Sequence, residues 1–424
     1  MPSAVLAAHA PAYLAAQVPS TPLGPFEDSA VSWASWVTLM SFVGLLALAV
    51  AVAAPARGLD DRAARLVRTR LTWAAVVAGV LACPAVLTDQ AHSGSGYDYS
   101  GAWRELFDGS TAGLLAGFEA VLPLVAALIL LPVVLRRGLA PRLIAGLRGS
   151  ALLLGVVALA ATRIPAKAPA PADRARTAFQ TFMWMLHLIG GAVWVGGLIG
   201  LVVLAVRSSL DSGFWSAAIR RFAAAATACV AAISLSGLFL YWSHVDGPTQ
   251  LFTTMYGRVL GVKIVLFGSL LVLGAVNQFW LHPRIDALRA AGDDRPLRTI
   301  LARRFPAVVG VEVALILALL FVAPFLHGSA RNQAYQADVA KHTTSPKAKL
   351  PRLPQKEVSA STWIEGTAET AAVLVVTVAA YRFSGRLARR RADRAGGTGG
   401  AGGAGRTTPA NPGVQAGQPG PATT

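Results

Sequence analysis

The sequence predicts an all-α, polytopic membrane protein of about nine transmembrane helices in two bundles, with its N-terminus outside and its C-terminus in the cytoplasm. Three observations predict it. Of the 424 residues, 54% are hydrophobic and only 14% are charged. Leu, Ala and Val come in blocks too long for the core helices of a soluble domain, and about 20 mostly apolar residues suffice to cross a hydrocarbon layer of ~30 Å. The basic residues behind the net charge of +17 lie between those blocks, where orientation signals sit. The charge therefore reads as topology and not as a nucleic-acid surface.

Nine apolar segments follow in order: 31–55, 71–90, 111–135, 149–164, 178–206, 222–242, 259–280, 306–325 and 365–383. The fourth is short, and Glu365 and Glu369 interrupt the ninth. Alternate connections are basic. Residues 57–70 hold five arginines, 136–148 four, 207–221 three and 281–305 six, and the tail adds ARRRADR. The opposite connections hold few, apart from 328–363, whose six basic residues count for less in so long a loop. The positive-inside rule then sets the orientation, and an odd number of spans agrees with it. The first twenty residues lack a basic n-region, which argues against a cleaved signal peptide. The two cysteines lie in different apolar blocks, so a disulfide framework is not expected.

The expected organisation is an outer segment over 1–30, a four-helix membrane region over 31–166 and a second four-helix domain over 178–327. An outer loop (328–363), a ninth helix (364–383) and a basic, then disordered, cytoplasmic tail (384–424) complete it. The stiff PAKAPAP linker at 165–171 marks the boundary between bundles. The Gly-, Ala-, Pro- and Thr-rich end of the tail cannot bury a core.

This topology sorts the seven histidines. His92, His244 and His327 fall at outer helix ends, His282 at an inner end, and His9 and His342 in outer non-helical stretches. His187 alone sits well inside a span, about nine residues or ~13 Å from the outside. Polar groups at that depth are costly and usually face a bundle interior or cavity. At 100° per residue, Met183, His187, Gly190 and Trp194 share one helix stripe. Thioether and imidazole together suit Cu(I), a soft cation. A packing histidine, hydrogen-bonded to a neighbouring helix, is the other reading of the same pattern. On the seventh span Lys263, Phe267, Leu270, Gly274 and Asn277 share a face. Lys263 reads on its own as a snorkelling side chain. Glu312 and Glu119 are intramembrane acids and so functional candidates. Cys83 before Pro84 reads as a buried structural thiol more readily than as a soft ligand.

Residues 179–326 resemble the membrane domain of the copper resistance D (CopD) family. The resemblance is carried by HLIGGAVWVGG at 187–197, RRFAAAA at 220–226, SGLFLYW at 236–242, TTMYGRVLGVK at 253–263, LGAVNQFWLHPRI at 273–285 and VGVEVAL at 309–315. It covers about a third of the chain strongly. The first four segments resemble the less distinctive N-terminal half of longer members. The resemblance implies a multi-pass cytoplasmic-membrane protein that handles copper, without an enzymatic step. It implies transport or delivery across the membrane, with uptake as the direction, and an outer CopC-like copper-binding partner. The family's marked positions fall on His187, Trp194, Gly196 and Gly197, then on Tyr256, Gly257, Lys263, Asn277 and Glu312.

The expected site is an outer vestibule where His187 receives Cu(I), with Met183 and with His244, Met255 or His327 contributing. Copper then passes between the fifth to eighth spans towards Asn277, Glu312 and His282, while Trp194 and the glycines shape the path. The sequence departs from the family in having no methionine-rich outer segment, and its methionines number five. Capture would then fall to a separate partner or to the outer histidines. Two alternatives stand beside this reading. One is a b-type haem electron carrier, which requires a second histidine facing His187 at its depth. The other is a non-transporting partner in assembly of an oxidase copper site.

Overall fold

The computed structural model describes residues 26–95, 97–136, 138–206, 210, 212–244, 248, 250–253, 255–276 and 305–326, and scattered positions from 364 to 386. Every regular element among them is helical. The long helices are α1 (Phe26–Ala51), α2 (Asp61–Ser95), α3 (Thr111–Leu135), α4 (Pro141–Ala161), α5 (Arg174–Ala205), α6 (Ser212–His244), α7 (Met255–Val276) and α8 (Phe305–Val322). Seven helices among the described residues are long and apolar enough to cross a membrane, and the stretch Gly310–Leu326 is a shorter apolar helix. The chain is thus an all-α, multi-pass membrane protein. Of the expected ninth helix, the positions described between 364 and 386 are helical. Contacts divide the chain into Met1–Ala372 and Val373–Thr424, and the elements below belong to the first unit.

Helix ends differ from the apolar blocks for local reasons. α2 begins at Asp61, ten residues before the block does, because the Asp60 carboxylate accepts the Ala63 amide at 2.7 Å and caps it. Its first turns carry Arg62, Arg65 and Arg68 while Leu66 and Val67 pack on the core, so the basic connection is largely helix. The Ser110 hydroxyl accepts from the Gly113 amide at 2.9 Å and starts α3. Pro141 opens α4, where the missing N–H costs nothing. At the far end α8 tightens into a 3-10 turn, Ala323–Leu326, as Pro324 removes a helical donor. Cations close other termini. The Arg70 guanidinium donates to the Leu204 and Val206 carbonyls ending α5, and Arg221 donates to the Ala51 carbonyl of α1 at 3.3 Å. Both place positive charge at a C-terminal dipole.

Packing positions the site. α1 lies along α2 and α5, its two most extensive neighbours, and also meets α4 and α8. Lipid is as apolar as leucine, so close fit and not water exclusion holds these helices together. α1 and α5 touch where a Cβ at Gly196 would lie 2.5 Å from the Gly44 Cα. Phe42, fully buried, fills the space left by Gly79 and Gly155, where added Cβ atoms would stand 2.9 and 2.8 Å from its ring. α7 is the least buried span. Its Val262, Ile264, Val265 and Val272 are exposed as lipid-facing residues, while Leu270 enters the core.

Candidate functional site

His187 stands on α5, thirteen residues after the helix begins, and is held by α6. Its Nδ1 lies 3.1 Å from Ser236 Oγ. Ser236 is completely buried, and its hydroxyl donates to the Ala232 carbonyl at 2.6 Å. A hydroxyl has one proton. With that proton directed to α6, Ser236 faces the imidazole as an acceptor, an arrangement that suits an Nδ1–H on His187. The adjacent Gly237 leaves room for the ring: a Cβ there would sit 3.7 Å from His187 Cε1. The Trp184 indole meets the same ring edge-on, with centroids 6.4 Å apart.

The histidine lines a small cavity of about 70 Å³ between α1, α5, α6, α7 and α8. Trp36 and Met40 enter it from α1, and Arg163 from just past α4. Trp184, Gly191 and Trp194 come from α5, Lys263 and Phe267 from α7, and Ile316 and Leu320 from α8. Trp194 is fixed edge-on against Phe267, with centroids 6.0 Å apart. The Arg163 guanidinium lies between two indoles, 4.5 Å from the Trp184 ring centre and 5.2 Å from that of Trp36. Such cation–π contacts reach about 2 kcal/mol when desolvated. Behind Arg163 a polar series runs across the outer half of the first spans. Ser32 and Ser35 donate to the two Asp89 oxygens at 2.7 and 3.2 Å. Glu119 is within electrostatic reach of both Asp89 and Arg163.

The expected residues are distributed as follows. His187, Trp194 and Lys263 come together on one cavity. Met183 does not line it. It packs with Phe239 and Trp242 of α6 in a separate cluster nearer the start of α5. The thioether that does reach the cavity belongs to Met40, on which a Cβ at Gly191 would rest 3.7 Å from Cε. Gly196 makes the contact with Gly44, and Gly197 lies under the Phe222 ring. Tyr256 is half-buried and Gly257 buried at the start of α7. Glu312 is buried, one helical turn before the cavity residue Ile316. Asn277, His282 and His327 lie outside the described residues, as do the side chains of His244 and Met255. No group of three or more His, Cys, Asp or Glu among the described residues forms a metal cluster. The haem reading needs a second histidine on the cavity wall, and the described wall carries His187 alone.

Trp36, Met40, Arg163 and Trp184 were not expected. Two signals for them are in the sequence. Trp33, Trp36 and Met40 repeat at the helical spacing that singled out His187. Arg163 also ends its span on the side where basic residues are scarce.

Comparison with known proteins agrees with the motifs. The family described as Copper resistance protein D matches residues 216–326, from early α6 through the end of the 3-10 turn. The Copper transport protein CutJ of Bacillus subtilis (strain 168) is 30% identical over 179 residues, 42% of this chain. That match spans 31% of the relative's length. No solved structure matches. Residues 216–326 thus match the Copper resistance protein D family within an all-α, multi-pass membrane protein, and the curated relative it resembles is a copper transport protein of which the chain spans less than a third.

Proposed function

We propose that this chain carries Cu(I) across the cytoplasmic membrane, inward, without a catalytic step, and that His187 is the receiving ligand. One observation carries the reading: the imidazole, held through Nδ1 beside the buried Ser236, lines a cavity walled by aromatic rings and a thioether. A metal-binding histidine characteristically donates its other ring N–H to a fixed acceptor. Met40 supplies a soft donor on the facing helix. Met183, His244, Met255 and His327 are placed by this proposal in the approach from the outside. Glu312, Asn277 and His282 lie along the inward route. A CopC-like protein on the outer side would deliver the ion. Trp194 and the close glycine contact between α1 and α5 keep the wall rigid.

The test is cell-associated copper in a host expressing wild type or His187→Ala at equal membrane levels and equal external copper. More copper with wild type than with the variant supports uptake through His187. Less copper with wild type reverses the direction, and equal copper overturns the role of His187.

A further inference from the structure

The cavity that holds His187 also holds two cations, and among the described lining residues there is no carboxylate. Neither the Arg163 guanidinium nor the Lys263 ammonium has a hydrogen bond or ion pair among the described residues, and Arg163 Nε is buried with no partner. The two charges repel one another. Glu119 attracts Arg163 but stands behind it, outside the cavity wall, where it also faces Asp89. Asp89 in turn is engaged by Ser32 and Ser35. Apart from His187 and Met40, the rest of the wall is aromatic and aliphatic. Unpaired charges in so apolar a setting are costly. Two of the same sign that open onto one space are stabilised together by an anion there. The same field opposes a bare Cu⁺ ion, since Coulomb energies at effective dielectric constants of about 20 amount to a few kcal/mol at contact distances.

We infer that the His187 cavity is a site for a monovalent anion of the halide class, bound between Arg163 and Lys263, and that copper enters it as an anionic Cu(I)–halide complex. The second clause rests on the proposed copper function; the first stands without it. Entry is a ligand substitution with no redox change. Nε2 of His187 takes the place of one halide on a two-coordinate dihalide anion of Cu(I). That halide departs with its electron pair, and the neutral halide–copper–imidazole unit keeps its remaining halide against the two cations. The arrangement reconciles a soft ligand set with a positively charged room.

The test uses the full-length protein in lipid nanodiscs at constant ionic strength, exchanging gluconate for bromide. Three of the chain's ten tryptophans line the cavity, and bromide quenches indole on contact. A saturable quenching component is expected in wild type and in Arg163→Lys. In Arg163→Gln and Lys263→Gln its midpoint should rise about tenfold or more, the scale of one charge-assisted bond. No saturable component, or an equal midpoint in wild type and both Gln variants, overturns the anion site. Cu(I) affinity is then measured against a competing chelator, with and without chloride. Chloride-dependent tightening lost in Lys263→Gln supports copper-borne entry. Copper binding indifferent to chloride overturns that clause and leaves free halide as the occupant. No copper binding in either medium refutes the copper function while leaving the quenching result intact.

Discussion

At the scale of single residues, the pairing of His187 with Ser236 decides what the imidazole can do. A buried hydroxyl that has given its proton to its own helix becomes a fixed acceptor, and a fixed acceptor selects a tautomer. Ser236→Ala should therefore weaken Cu(I) binding by about tenfold without unfolding the protein, because the ring loses the group that orients it. Competition with a chelator measures the effect, and an unchanged affinity would show that the hydrogen bond is packing alone. Met40→Leu keeps the volume and removes the sulfur, so a comparable loss is expected there, while Met183→Leu should change copper affinity less. The reverse ranking would restore Met183 as the ligand. His187 was legible in the sequence because its depth alone made it conspicuous. Met40 was not, since a methionine within an apolar block is ordinary until the fold shows what it faces.

At the scale of elements, the contact between α1 and α5 sets the width of the cavity, as both helices supply its wall. Gly196→Leu cannot be accommodated beside Gly44 and should cost about 1–3 kcal/mol or more, seen as a lower thermal midpoint in detergent. Gly274→Ala meets nothing within 4 Å and should be neutral or gain up to about 1 kcal/mol through helix propensity. Equal effects of the two would remove the argument from close approach. The short helix Tyr99–Glu105 offers a test by pH. Asp98 accepts from the Gly101 amide and the Ser100 hydroxyl, both at 2.9 Å, and these bonds hold its carboxyl below the usual range. A depressed folded pKa gives a contribution that is complete above the unfolded value near 3.9 and lost as pH falls through the folded one. A fluorine resonance from labelled Trp103 should hold steady from neutrality to about pH 5 and shift on further acidification. In Asp98→Asn the shift should vanish.

At the scale of the whole molecule, the charge bias and the helix order make one topology. Cations at the ends of α1 and α5 engage carbonyls on the side assigned to the cytoplasm, and Arg163, on the side assigned to the outside, is drawn between two indoles. Ser100→Cys and Arg57→Cys, in chains lacking Cys83 and Cys229, should react with an impermeant thiol reagent from opposite sides, Ser100→Cys from outside. The inverted pattern would reverse the route drawn from His187 to Glu312. The stretch that matches the CopD family runs from α6 to the end of α8's 3-10 turn, yet the cavity is completed by α1, α5 and Arg163 just past α4. The first four helices therefore reach the cavity directly, through Trp36 and Met40 of α1, with Arg163 just past α4.

The all-α class, the first seven apolar spans, their basic connections, the resemblance to the CopD family and the prominence of His187 were legible in the order of residues along the chain. Each of these depends on composition, period or local motif, which are properties of neighbouring residues in the chain. Helix packing alone shows that Met40 and not Met183 shares the cavity, that Ser236 meets His187 and that Arg163 and Lys263 line one space. Those facts depend on how helices distant in sequence rotate and approach one another. Small residues such as Gly44 and Gly196 govern that approach, and no periodicity along a single helix reveals which face its partner will choose.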